Sequence, residues 1–223
     1  MSILVAPAFT LSLIAVVLVL SLGLAVVMGN KARKSKSPSL LFWFSAMVIF
    51  TASIFLELLF SVGEYDQFSL KMYVFLVALL VELLALGSVF LTSSKILHIL
   101  YVAYSLATSS GLAISLYVFP LGRMIVSHVF YGPLPLSDTI MSSAATFPAA
   151  AIIVVKAAMD LRKGFNPNLA SIIAGVVVVS VAGTLYIAGF PSFLYLAEFV
   201  GIFLLWLGFV RIPIGLRNST SAS

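Results

Sequence analysis

The sequence predicts an all-α polytopic membrane protein: one domain of seven transmembrane helices over residues 1–223, N-terminus outside and C-terminus inside. Three observations predict it. Hydrophobic residues make up 62% of the chain and charged residues only 9%, with a mean hydropathy of +1.23, far from the balance of a soluble domain. The apolar residues come in runs long enough to cross a bilayer, separated by short polar breaks. The basic residues collect on alternate breaks.

The spans fall at about 7–29, 40–62, 71–93, 96–119, 139–160, 168–189 and 190–211, each near the ~20 residues a helix needs to cross ~30 Å of hydrocarbon. Helices are predicted rather than barrel strands because stretches such as Tyr73 to Val81 are apolar on every face, with no alternation. The first span lacks a basic n-region and is followed by its positive cluster, so it reads as a retained helix rather than a signal peptide. Lys31, Arg33, Lys34 and Lys36 follow span 1, Lys95 follows span 3, Lys156, Arg162 and Lys163 close span 5, and Arg211 and Arg217 follow span 7. The opposite side carries only Lys71 and Arg123, beside Glu64, Asp66 and Asp138. The positive-inside rule then sets the orientation, and the multi-pass chain is expected in the plasma membrane.

The segment Lys36 to Leu91 resembles Lys163 to Phe209. Ser37-Pro38-Ser39-Leu40 opens span 2 as Asn166-Pro167-Asn168-Leu169 opens span 6, and Leu84-Ala85-Leu86-Gly87 parallels Leu205-Trp206-Leu207-Gly208. Spans 1–3 and 5–7 start on the same side, so this is a 3+1+3 parallel repeat joined by span 4, or a likeness that proline-led apolar helices share by composition. The topology is similar to that of sugar-exporter and opsin-type seven-helix proteins. Span 7 has no lysine for a retinal Schiff base and the sugar-exporter proline-glutamine pair is missing, so the resemblance implies topology alone. Gly183-Thr184-Leu185 and Leu194-Tyr195-Leu196-Ala197-Glu198, followed by Gly201 and Gly208, also resemble uncharacterised prokaryotic seven-helix membrane proteins, a resemblance that implies no activity.

Three carboxylates lie within spans: Glu57, Glu82 and Glu198. Ionisable groups in hydrocarbon cost a few kcal/mol each and therefore face a bundle interior or a wet cavity. Glu57 and Glu198 fall roughly 8 to 12 Å below the outer ends of their spans and Glu82 roughly 17 Å. No lysine or arginine is placed to neutralise all three, so desolvation favours their neutral forms. One reading is a descending proton or cation path; the other is three separate glutamates bonded to nearby hydroxyls and carbonyls. Tyr101, Tyr104, Thr108, Gly111 and Ser115 form one stripe of span 4 that faces protein, either lining a polar path beside Glu82, with Tyr186 and Tyr195 near its outer end, or providing close helix packing. Pro148 kinks span 5 or frees a carbonyl.

No catalytic, cofactor or metal site is expected. Absent cysteine removes disulfides, thiolate ligands and cysteine nucleophiles. His98 and His128 lie near opposite faces and cannot share a haem, and no histidine-carboxylate cluster has metal-ligand spacing. The net charge of +5 marks topology rather than a nucleic-acid surface. The run Lys31 to Lys36 is also suited to anionic headgroups. The outer loop from Gly122 to Asp138 is expected to cover the bundle or to lie along the membrane surface. The expected partners are the bilayer and other membrane proteins or further copies of the chain. The leading expectation is a noncatalytic accessory or structural component of a membrane assembly. The alternative is a small proton- or cation-coupled transporter using the buried glutamates; the third is a seven-helix sensor working through a partner.

Overall fold

The computed structural model describes residues 7–122, 125, 126, 129, 130, 134–163, 167, 168, 170–172, 174, 175, 177, 178 and 191–210. Within them run α1 (Pro7–Ser35), α2 (Pro38–Ser61), α3 (Gln67–Val89), α4 (Lys95–Val118), α5 (Leu136–Lys163) and α6 (Pro191–Val210). A two-stranded antiparallel pairing, β1 (Ile125–Val126) with β2 (Val129–Phe130), sits between α4 and α5. The helices α1 to α5 are long and apolar enough to cross a membrane. The second half of span 6 and its junction with span 7, residues 179–190, lie outside the described residues.

Local chemistry sets the helix ends. Lys36 adopts a left-handed conformation, φ 51°, which lets the chain reverse after α1. Pro38 then starts α2 at a position where its missing N–H costs nothing. Gly63, φ 89°, turns the chain after α2. Asp66 caps α3 in a reciprocal box with Ser69, the Ser69 N–H reaching the Asp66 carboxylate at 2.7 Å and the Asp66 N–H reaching the Ser69 hydroxyl at 2.9 Å. Ser94 accepts the Leu97 N–H to cap α4.

These ends shift three expectations. The first basic cluster is largely helical, because α1 continues through Arg33 and Lys34 to Ser35. Lysine and arginine are good helix formers and suit the negative end of the helix dipole. Lys71 lies inside α3, whose cap begins the helix four residues before the apolar run. Asp138 belongs to the first turn of α5, where the positive helix end favours a carboxylate. It is fully buried rather than part of a surface loop.

The bundle is a row, α6 against α1, α1 against α2 and α2 against α3, with α4 and α5 packed on α3 and on each other. One apolar core joins α1, α2, α3 and α6 around Leu24, Met47, Ala85 and Ile202. A second gathers Phe60, Val74, Leu112 and Ala145 near the α2–α3 turn. Outward residues such as Val19 on α1, Ile99 on α4 and Phe147 on α5 are about 70% exposed. Apolar side chains on the outside are the expected surface of helices solvated by lipid.

Small residues set the close approaches. A Cβ at Gly87 would stand 2.2 Å from the Trp43 ring, whose Nε1 donates to the Leu84 carbonyl. At Gly208 an added Cβ would meet Ile172 at 2.4 Å and the Asn168 carbonyl oxygen at 2.8 Å. The Ser171 hydroxyl donates to the Leu204 carbonyl at 2.7 Å, so the described part of residues 167–178 lies on α6. Lys31 joins α1 to the end of α6 by donating to the Phe209 and Val210 carbonyls at 2.9 and 2.8 Å. Its ammonium satisfies carbonyls that a helix C-terminus leaves open.

Candidate carboxyl sites in the bundle

The α2–α3 hairpin places Glu57 four residues before the end of α2 and Tyr73 six residues into α3, at similar depth from the connecting turn. The Tyr73 hydroxyl donates to Glu57 Oε1. Glu198, seven residues into α6, comes close enough to Glu57 for the two carboxyls to act on each other. Both are deeply buried, at 2% and 8% exposure. Glu57 Oε2 has no donor among the described residues. Two negative charges at close range within an apolar bundle repel strongly, whereas one proton held between the carboxyls supplies the missing donor. Two carboxyls so placed can share one proton.

Glu82 occupies a different centre. It sits on α3, about 22 Å along the helix from Gln67, and is 1% exposed. Ser105, Thr108 and Ser109 on α4 aim their hydroxyls at it, Ser105 to Oε2 at 3.1 Å, Ser109 to Oε2 and Thr108 to Oε1. Positions i, i+3 and i+4 share one helix face, so a single turn of α4 forms the cradle. Tyr101 stacks on Tyr104 at 6.0 Å; its buried hydroxyl has no partner among the described residues. The Tyr104 hydroxyl leaves this cluster and donates to the Ala144 carbonyl on α5 at 2.6 Å.

A third centre holds the carboxyl of Asp138, which accepts from the Ser115 hydroxyl further along α4. Its Oδ2 has no partner among the described residues. Gln67 Nε2 donates to the Leu121 carbonyl at 2.8 Å and ties the α2–α3 turn to the end of α4.

The glutamates thus divide into a Glu57–Glu198 pair and an isolated Glu82; no described hydrogen bond joins the two centres into one descending path. Tyr101 and Tyr104 lie beside Glu82, while the side chain of Tyr195 lies outside the described residues, as do Tyr186, Arg123, His128 and Tyr131. His98 stacks on Phe90 with ring centroids 4.4 Å apart, and its Nε2 lies 3.1 Å from the Thr92 carbonyl oxygen.

Sequence reasoning missed Tyr73, Ser105, Ser109 and Asp138. Tyr73 was hidden in an apolar run, although its similar distance from the turn was a usable signal for pairing with Glu57. Ser105 and Ser109 adjoin the named stripe and share its face, because a helix face is wider than one line of residues. Compared with known proteins, the chain matches no family model, no curated protein and no solved structure.

Proposed function

We propose that the protein is a proton-coupled carrier of the plasma membrane, with the Glu57–Glu198 pair as its proton site. One observation carries this reading: two buried carboxyls act on each other, and Glu57 Oε2 has no hydrogen-bond partner among the described residues. Loss of the shared proton leaves like charges in an apolar bundle, which favours separation of α6 from α2 or entry of a cation. That is a physical route from protonation to helix movement. The parallel 3+1+3 relation of seven spans, N-terminus outside, supplies two halves able to move against each other.

A noncatalytic accessory component of a membrane assembly is the second reading. It is favoured by Glu82, whose two oxygens already accept three hydroxyls as a structural carboxylate would.

The test is proton movement in vesicles containing the purified protein and an internal pH dye, under an imposed pH gradient. Wild type is expected to dissipate the gradient, and Glu57→Gln and Glu198→Gln each to stop this while preserving the thermal melt. The amide can donate to the remaining carboxyl and holds the packing without a transferable proton. Glutamine variants that dissipate the gradient as fast as wild type, or a wild type no faster than empty vesicles, would reject the carrier and leave the accessory reading.

A further inference from the structure

We propose that the cleft between α3, the start of α4 and the second half of α5 binds a phospholipid of the surrounding bilayer whose headgroup carries a primary amine. The cleft has a volume of about 530 Å³, within the range of small-molecule sites. It is separate from the carboxyl centres: none of Glu57, Glu82, Glu198 or Asp138 lines it.

Its lining is graded along the membrane normal. Ala151 and Ile152 on α5 form the deep, apolar part, while Ser93, in the turn after α3, and Lys156 and Asp160 stand towards the rim. On α5, Ala151 lies about 13 Å deeper than Asp160. The part of α5 long and apolar enough to cross a membrane ends at Arg162, so Lys156 and Asp160 are about 9 and 3 Å from that end. Apolar wall below and charged groups above is the polarity order of a lipid, chains inward and headgroup at the interface.

The two charges specify the headgroup. Lys156 and Asp160 form an ion pair one helical turn apart, with side chains 17% and 19% exposed. An ammonium has three donors and a carboxylate several acceptor positions, so their contact with each other uses only part of either group. A phosphate placed on Lys156 comes close to Asp160, and a purely anionic headgroup is repelled there. A headgroup with phosphate and ammonium a few bonds apart matches both: phosphate accepts from Lys156 and the primary ammonium donates to Asp160. Choline offers the charge without the N–H donors and fits less well. The Ser93 hydroxyl at the same rim is a further donor for phosphate.

The experiment is native mass spectrometry of the full-length protein in detergent, titrated separately with phosphatidylethanolamine, phosphatidylcholine, phosphatidylglycerol and diacylglycerol of identical chains. One phosphatidylethanolamine should be retained, at least about fivefold more tightly than each of the others. Lys156→Gln should lose that preference, Lys156→Arg should keep it, and Asp160→Asn should shift it towards phosphatidylglycerol. Ala151→Trp fills the deep part and should lower retention with the ion pair intact. Equal retention of all four lipids, or unchanged selectivity in Lys156→Gln and Asp160→Asn, overturns the proposal. Displacement of the lipid by soluble phosphoethanolamine at equal concentration overturns it too, because the apolar wall would then contribute nothing. Vesicle proton flux is independent of this readout, so failure of the carrier reading leaves the lipid site standing.

Discussion

The Tyr104 hydroxyl serves the carbonyl that Pro148 leaves without a helical partner. In an uninterrupted helix the N–H at position 148 would pair with the carbonyl of Ala144, and proline has none to give. Tyr104, on α4, donates to that oxygen at 2.6 Å instead. The proline that weakens α5 locally thereby creates an acceptor for the neighbouring helix.

Tyr104→Phe should therefore destabilise the protein by roughly 1 kcal/mol, since it leaves the Ala144 carbonyl without that donor on the outward, lipid-facing side of the bundle. Pro148→Ala restores an N–H to the helix. In the Pro148→Ala background the same Tyr104→Phe change should cost clearly less, as a double-mutant cycle of denaturation in detergent would show. Equal costs in both backgrounds would mean that Tyr104 acts only through ring packing.

Gly87 and Trp43 predict a steric effect. A methyl at Gly87 would lie 2.2 Å from the indole Cδ1 and 2.3 Å from Nε1. The indole must move and give up its bond to the Leu84 carbonyl, 3.2 Å away. Gly87→Ala is expected to cost about 1–3 kcal/mol, typical of overpacking a filled interior. In a Trp43→Leu background, where the obstructing ring is gone, the alanine should cost little. Thermal unfolding of the four proteins tests this; additive losses would place the strain elsewhere.

The legible part of this fold was the part written in local chemistry. Apolar run length gave α1 to α5 to within about six residues at each end, and Pro38 marked the start of α2, whereas the Asp66 and Ser94 caps went unread. Burial of Glu57, Glu82 and Glu198 was equally readable, because an ionisable group in an apolar run has to be shielded. Their partners were not readable, since the approach of α6 to α2 is decided by tertiary packing that leaves no mark at fixed spacing. Asp138 misled for a related reason: beside a turn-rich segment a carboxylate reads as surface, yet here it begins a helix and is covered by α4.

The α3 cap makes a prediction about pH. The Ser69 hydroxyl and then its N–H hold the Asp66 carboxyl below its ordinary value of 3.8. A carboxyl depressed on folding contributes stability above its unfolded value and loses it as pH falls through the folded value. Wild type should lose stability more steeply than Asp66→Asn on acidification below about pH 4. At neutral pH Asp66→Asn should change little, because asparagine also caps helices well. Parallel melting curves against pH for the two proteins would remove Asp66 from the acid response.

Glu82 provides the sharpest contrast between acceptor and donor. Three hydroxyls of α4 point at two carboxylate oxygens. Glu82→Gln preserves shape but replaces one of those oxygens with an NH2, which cannot accept, so at least one hydroxyl loses its partner. The expected loss is roughly 1–3 kcal/mol. Removing the mismatched donors as well, in Ser105→Ala with Ser109→Ala, should recover most of it, because both hydroxyls serve the same oxygen, Oε2. If the glutamine variant instead melts with wild type, the cradle tolerates a donor, and the accessory reading loses the observation that favours it.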